Sequence, residues 1–351
     1  MTGKSRKRNS NVKLEERNPP ISKKTKDSQS GASLLGCLNS EQIQERISLI
    51  DQGFYLKCPP DFFSFYEFCK TLSNDAPLDA LSEIGFRLVG PFEILHYGSK
   101  DQVKKGQWSN HYRFYHDPPE FVTVVVCSND QSHIGYFRDS YESTPFVAKS
   151  TTTISGVIEY CGQNLFAFLR TELGRKTSCH TSHLLESFNE FVSAKNILID
   201  DSSSFMEHRK KHQVCATINS IGLMIDVSER DLGYRPISVS YSELNSRLNS
   251  IINANSKEAQ LAKFILLDEL ITYANFANDE GDFGQGLELG LSLLAFHPKG
   301  RPLKSADVLN NKIKHLLSVG YKSAKKTEFS QVIEAHMDDR RIEPLTFTET
   351  S

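Results

Sequence analysis

Four carboxylates and four glycines fall between Phe276 and Gly290: Asp279, Glu280, Asp282 and Glu288, interleaved with Gly281, Gly284, Gly286 and Gly290. The wider window 264–298 holds no Lys or Arg and adds Asp268 and Glu269. One-sided charge of this kind makes a negative field, which favours a cationic partner and raises the proton affinity of each carboxylate within it. Glycines beside acids mark a tight turn that another molecule can approach closely. Asp279 and Glu280 are adjacent, and neighbours at a helix end project about 100° apart. They therefore do not share one proton as a dyad. They suit two tasks, one carboxylate holding a partner and the other facing a reacting group. The competing reading is that these acids cap the next helix at its positive N-terminal end, and residue types alone favour capping. Glu288, about two helical turns on, fits a buried, paired or structural acid.

Other arrangements carry less chemistry. Cys179-His180-x-x-His183 and His208-x-x-x-His212 have ligand-like spacing, but neither has the further ligands that a closed zinc site needs. The second also sits among Arg209, Lys210 and Lys211, which repel a cation. No metal site is expected. Phosphate-binding loops, a dinucleotide fingerprint after a strand and a nucleophile elbow are all missing from the sequence. The glycines at 281–290 are no phosphate cradle, because their neighbours are acids.

These residues must be positioned by a sizeable fold. A chain of 351 residues with 38% apolar and 24% charged content reads as globular, with room for one large or two medium domains. No apolar run approaches the ~20 residues needed to span a bilayer. The N-terminus has no apolar stretch of the signal-peptide kind. Seven cysteines at irregular spacing fit a reducing compartment. Charge is uneven: residues 1–30 carry nine bases against three acids, about +6, which leaves about −8 for the remainder. This tail, 1–35, is expected to be disordered because it holds too little apolar surface to offset the entropy of ordering. Its two basic clusters, at 4–8 and 23–26, fit a nuclear-import signal, a nucleic-acid contact or a solubilising tail.

The expected fold class is α+β. An N-terminal antiparallel sheet with flanking helices is followed by a mainly helical C-terminal half with a few strands. A helix starting at Ser40 and a proline-led helix at 60 precede strands at 86–89, 112–115, 122–126, 134–137 and 152–160. A helix at 164–173 closes a first domain, 36–175. Residues 175–183 form a polar linker to a second domain, 184–340. That domain contains a helix at 183–197, strands at 214–218 and 221–225, and a turn at 231–236. A long helix at 256–277 ends in the acidic turn, and further helices follow at 287–296, 306–318 and 328–337. Residues 341–351 form a disordered tail.

Five segments occur in order: Pro59-Pro60-Asp61-Phe62-Phe63, His111-Tyr112-Arg113-Phe114-Tyr115-His116-Asp117-Pro118-Pro119-Glu120-Phe121, Gly135-Tyr136-Phe137-Arg138-Asp139-Ser140, Gly233-Tyr234-Arg235 and Phe276-Ala277-Asn278-Asp279-Glu280. As a set they resemble the histone poly(ADP-ribosyl)ation factor family over roughly residues 40–340. The resemblance implies a nuclear, chromatin-associated accessory factor of the DNA-damage-activated poly(ADP-ribose) polymerases. Such a factor docks on the polymerase catalytic domain beside its bound NAD and redirects ADP-ribosylation to serine on histones. It has no cofactor of its own and no stand-alone activity. By motif, Glu280 resembles the catalytic glutamate. Asp279, Arg235 and Tyr234 resemble partner-binding residues. The sequence departs from the family pattern at Gly281, where cysteine is expected, at Pro236, where an acid is expected, and after Gly290. Direct nucleic-acid contact is expected, if anywhere, from the basic tail, and membrane contact is not expected. Two other readings remain: a non-catalytic nuclear adaptor whose acidic patch recruits basic histone tails, and a stand-alone hydrolase using Glu280 and Asp282.

Overall fold

The computed structural model describes residues 39–98, 106, 108–128, 130, 132–175, 179–199, 203–225 and 232–346. The basic tail lies outside these residues, as do the last five residues of the chain. Helix α1 (Ser40–Phe54) opens with a reciprocal cap in which Asn39 accepts from the Gln42 amide and the Gln42 side chain accepts from the Asn39 amide. Helix α2 (Pro60–Leu72) begins on a proline, whose missing N–H is no loss in a first turn.

Five strands follow: β1 (Phe86–Leu88), β2 (Phe121–Cys127), β3 (His133–Phe137), β4 (Phe146–Ser150) and β5 (Ile158–Gly162). They pair in sequence order, every pair antiparallel, to give one meander. Side chains alternate between its two faces. Val122, Ile134, Tyr136 and Val147 join the main core with α2, α3 (Pro91–Tyr97), α4 (Leu165–Arg175) and α5 (Cys179–Lys195). That core is aromatic, with Phe62 stacked on Phe92 at 4.2 Å and Phe65 edge-on to Phe166. Phe137 and Phe146 face the other way, beneath α6 (Ser203–His212). Helix α5, expected in the second domain, packs into this first core through Phe188 and Phe191 against Phe68.

The second core is helical: α7 (Tyr241–Ile252), α8 (Lys257–Asp279), α9 (Gly284–Leu294), α10 (Asn310–Ser323) and α11 (Thr327–Asp338). Helix α9 is buried along its whole length. The strands expected at 214–218 and 221–225 reduce to one bridge, Cys215 to Leu223, because Thr217, Ser220 and Gly222 adopt positive φ and close a tight turn. The expected strand at 112–115 is likewise absent. Tyr112 has φ of 52°, and the segment is held by side chains instead: Arg113 donates to the Ser109 and Pro118 carbonyls, and Asp117 accepts from the Phe114 amide.

That segment joins the two halves. Tyr115 donates to Asp307 (2.7 Å), His116 Nδ1 donates to the Leu294 carbonyl (2.8 Å), and Tyr321 donates to the buried Glu120 (2.8 Å). Arg340 lies over the Tyr115 ring and donates to the carbonyls of Tyr115 and Leu294. Leu345 bridges to His111 and accepts from the Tyr112 amide, so the chain stays packed on the first half through that residue. Among the described residues no helix is long and apolar enough to cross a membrane.

Candidate functional site

Helix α8 ends at Asp279, and Glu280 forms its C-cap, donating its amide to the Phe276 carbonyl. Gly281 then takes φ of +97°, a region that strains any side chain, and reverses the chain. The Asp282 amide returns to the Ala277 carbonyl (2.7 Å), and α9 begins two residues later. The segment 232–237 runs across this turn. Its Gly233 amide donates to Asp282 Oδ1 (3.1 Å), while the Gly284 amide donates to the Gly233 carbonyl (2.8 Å). Gly284 permits the approach, since a Cβ there would sit 2.4 Å from Ile225 Cδ1 and 2.7 Å from the Gly233 oxygen.

The clip presents Arg235 to the acids. Its Nη2 lies 2.5 Å from Glu280 Oε2 and 2.9 Å from Asp282 Oδ2. Asp282 is buried, whereas the Glu280 side chain is 58% exposed and Arg235 48% exposed. A solvent-facing pair of this kind is weakly held and can exchange partners. Asp279 is exposed beside it. Tyr234 is turned inward. Its hydroxyl donates to Glu288 Oε2 (3.1 Å), as does the Ile237 amide (3.1 Å), and Tyr241 donates to Glu288 Oε1 (2.8 Å). Gln285 adds a bond to the Pro236 carbonyl. Burial, followed by the nearby Cys215 and Glu288, raises both tyrosine hydroxyls above their ordinary range. Burial also pushes the Cys215 thiol up to about 11.

The acids do not cap α9: its N-cap is Phe283, with no side-chain bond, and no acid lies in its first turn. The structure brings Glu280, Arg235 and Asp282 together, keeps Asp279 at the rim and ties Tyr234 to Glu288. Glu288 is buried and paired, as its position suggested, but neither its partners nor the anchoring role of Asp282 could be read locally, because they lie about fifty positions away in the chain. The family model described as histone PARylation factor 1 matches residues 44–340, which includes both halves and the whole acidic corner.

The chain belongs to that family.

Proteins named histone PARylation factor 1 are similar to it along most of their length. The relative from Bos taurus is 34% identical over 306 residues, covering 83% of this chain and 86% of its own. That from Mus musculus is 32% identical over 310 residues, covering 84% and 87%. That from Danio rerio is 29% identical over 316 residues, covering 87% and 88%.

Two further features bear on the site. The outer face of α8 exposes Leu261, Ile265, Tyr273 and Phe276, at helical spacing that leads to Asp279 and Glu280, and Leu232 is exposed beside Gly281. Glu269, exposed on the same face and accepting from the Tyr273 hydroxyl, divides these apolar side chains into two groups, of which Tyr273 and Phe276 adjoin the acidic turn. Elsewhere, His208 and His212 stack with ring centroids 4.1 Å apart, and among the described residues no group of three or more His, Cys, Asp or Glu is placed to hold a metal ion.

Proposed function

We propose that this protein is a nuclear, chromatin-associated accessory factor of histone ADP-ribosylation in the DNA-damage response. In this reading it docks on the catalytic domain of a poly(ADP-ribose) polymerase and lends Glu280 to the polymerase's active site as general base for serine. The observation that carries the reading is the exposure of Glu280 at the end of a helix that also exposes Tyr273 and Phe276, with Arg235 as its partner among its own residues. A carboxylate that must act in a second protein has to be reachable, and this one is. The family's name supports the histone substrate and the modification.

A serine hydroxyl is a poor nucleophile at neutral pH and needs a base as it attacks. Its oxygen forms the bond to the anomeric carbon of the NAD ribose. The bond to nicotinamide breaks, nicotinamide leaves with the electron pair, and the hydroxyl proton passes to Glu280. Positive charge develops on the ribose as in glycoside cleavage, and the same carboxylate stabilises it. NAD is held by the polymerase. The acids around the corner attract the lysine that precedes an acceptor serine. Arg235 offers a donor fork to a carboxylate or chain terminus of the polymerase. Docking then draws the guanidinium off Glu280 and frees the base, while Asp279 contacts the polymerase at the rim. Tyr234 serves docking indirectly, sharing with Tyr241 and the Ile237 amide the hold on Glu288 that steadies the segment carrying Arg235.

The test is a reconstituted reaction containing polymerase, NAD and a histone peptide with a Lys-Ser site. Glu280→Ala is expected to retain polymerase binding and to lose serine transfer by ~10²–10⁴-fold, the usual worth of a general base. Arg235→Ala is expected to lose binding. Serine transfer by Glu280→Ala at the wild-type rate would overturn the assignment. A protein that changed peptide affinity but not the residue type modified would be an adaptor, and turnover without the polymerase would mark a hydrolase.

A further inference from the structure

We propose that Asp282 is a positioning residue for the reaction assigned above: its buried charge lets Arg235 leave Glu280 without leaving the site. This inference rests on that reading and supplies a reason why docking releases the base. The starting point is a shared atom. Both carboxylates lie on the same guanidinium nitrogen, Nη2, which is 2.5 Å from Glu280 Oε2 and 2.9 Å from Asp282 Oδ2. Among the described residues no bond or ion pair engages Nη1 or Nε of Arg235.

The two acids are held very differently. Asp282 is pinned at three points: its amide donates to the Ala277 carbonyl (2.7 Å), its carbonyl accepts from the Gln285 amide (3.1 Å), and Oδ1 accepts from the Gly233 amide (3.1 Å). It cannot follow the guanidinium outward. Its side chain is 8% exposed, so removing Arg235 would leave a buried charge without a cation, which is costly. The Glu280 side chain is 58% exposed, and Arg235 is its partner among the described residues. Water solvates that carboxylate as soon as the guanidinium moves, so the exchange costs little.

Guanidinium geometry turns this difference into an ordered exchange. Arginine grips a carboxylate with two parallel N–H groups. Nη2 belongs to both edges that can do so, with Nη1 at the tip or with Nε along the side. It carries two hydrogens, enough for Glu280 and Asp282 and no more. A partner carboxylate that takes either edge must therefore displace one of the two acids. Displacing Asp282 uncovers a buried charge, whereas displacing Glu280 returns an exposed one to water. The incoming group thus replaces Glu280, and the guanidinium turns about Asp282 as its fixed point. The contact that docks the partner is the one that frees the proton acceptor.

Asp282→Asn isolates the charge, because its amide oxygen still accepts from Gly233 while a neutral group faces Nη2. The catalytic domain of the polymerase is titrated by calorimetry into the full-length wild type, Asp282→Asn, Glu280→Ala and Asp282→Asn/Glu280→Ala, with urea midpoints confirming that each is folded. Without the second anchor Arg235 stays on Glu280, and Asp282→Asn is expected to dock about fivefold more weakly, the upper worth of an exposed ion pair. Removing Glu280 as well takes away the competitor, and the double variant is expected to dock within about twofold of Glu280→Ala. An equal loss in both backgrounds would make Asp282 a structural tether only and overturn the proposal. Wild-type docking by Asp282→Asn would overturn it too. Arg235→Ala in the same titration shows whether docking uses the guanidinium at all, and the serine-transfer assay tests the general base. Failure of either is therefore seen separately from failure of this inference.

Discussion

Replacing Tyr234 with phenylalanine separates two meanings of that residue. If its hydroxyl works by holding Glu288, the variant loses stability and keeps its docking surface. A hydrogen bond to a charged acceptor is worth roughly 1.5–3 kcal/mol. Here the bond is 3.1 Å long, the tyrosine is only partly buried, and Glu288 keeps donors from Tyr241 and Ile237. The expected loss is therefore about 1–2 kcal/mol, near the lower end of that range. With a urea slope of about 3 kcal/mol/M for a chain of this size, the midpoint moves down by about 0.5 M. Tyr241→Phe should cost a little more, its bond being 2.8 Å. The double variant should exceed the sum, because Glu288 is left with one donor in a buried position. Binding to the polymerase catalytic domain, measured by calorimetry well below the unfolding temperature, should stay within about twofold for Tyr234→Phe. An unchanged urea midpoint together with a tenfold loss of binding would refute the reasoning and make the hydroxyl a direct contact.

Other outcomes follow from the same geometry. Gly284→Ala should destabilise by about 1–3 kcal/mol and weaken docking, read by urea titration and binding together, because its Cβ would press on the Gly233 carbonyl and Ile225. Burial, reinforced by the charge of Arg340, lowers His116 to about 3. An unfolded histidine titrates near 6.5, so the unfolded state binds more protons below that pH. Stability from His116 is full above about 6.5 and declines as pH falls toward 3, by about 1.4 kcal/mol at pH 5.5. His116→Gln should remove that part of the acid sensitivity, seen as a smaller difference between urea midpoints at pH 7.5 and 5.5. Gly281→Cys should cost about 1 kcal/mol because of the positive φ. Thermal unfolding checks it.

Much of the corner was legible. The 3.6-residue period of Leu266, Leu270, Ile271 and Ala274, ending in acids and glycines, marked both α8 and its turn, although Leu266 is exposed and Ile271 only half-buried, while Leu270 and Ala274 form the buried side. The β-branched runs of β2 and the aromatic run of β3 marked the sheet. What escaped was set by contacts distant in sequence. Helix α6 is too polar to announce itself and is held by Phe205 and the Arg209–Asp139 pair. Helix α7 was passed over although Leu244, Leu248, Ile251 and Ile252 lie on one face behind a Ser240 cap, because serine and asparagine dominate around them. Strand β4 is five residues after a proline, and its inner and outer faces are distinguished only by its neighbours. The run 112–115 alternates like a strand, but its polar side chains belong to the junction between the halves. No local pattern foretells that Arg235 meets Glu280, forty-five positions away.

Helix α9 behaves as a dry spindle about 16 Å long. Its near end carries the hairpin bend that displays Glu280, and its far end, the Leu294 carbonyl, is gripped by His116 and Arg340. Every residue of the shaft is buried, so the bend has no soft bearing on which to swing independently. Glu280 is thus held in place, through α9, by His116 of the first half as well as by its own loop. Cutting the chain between the halves would unmoor the bearing and misdirect the acid, even with every residue of the turn intact.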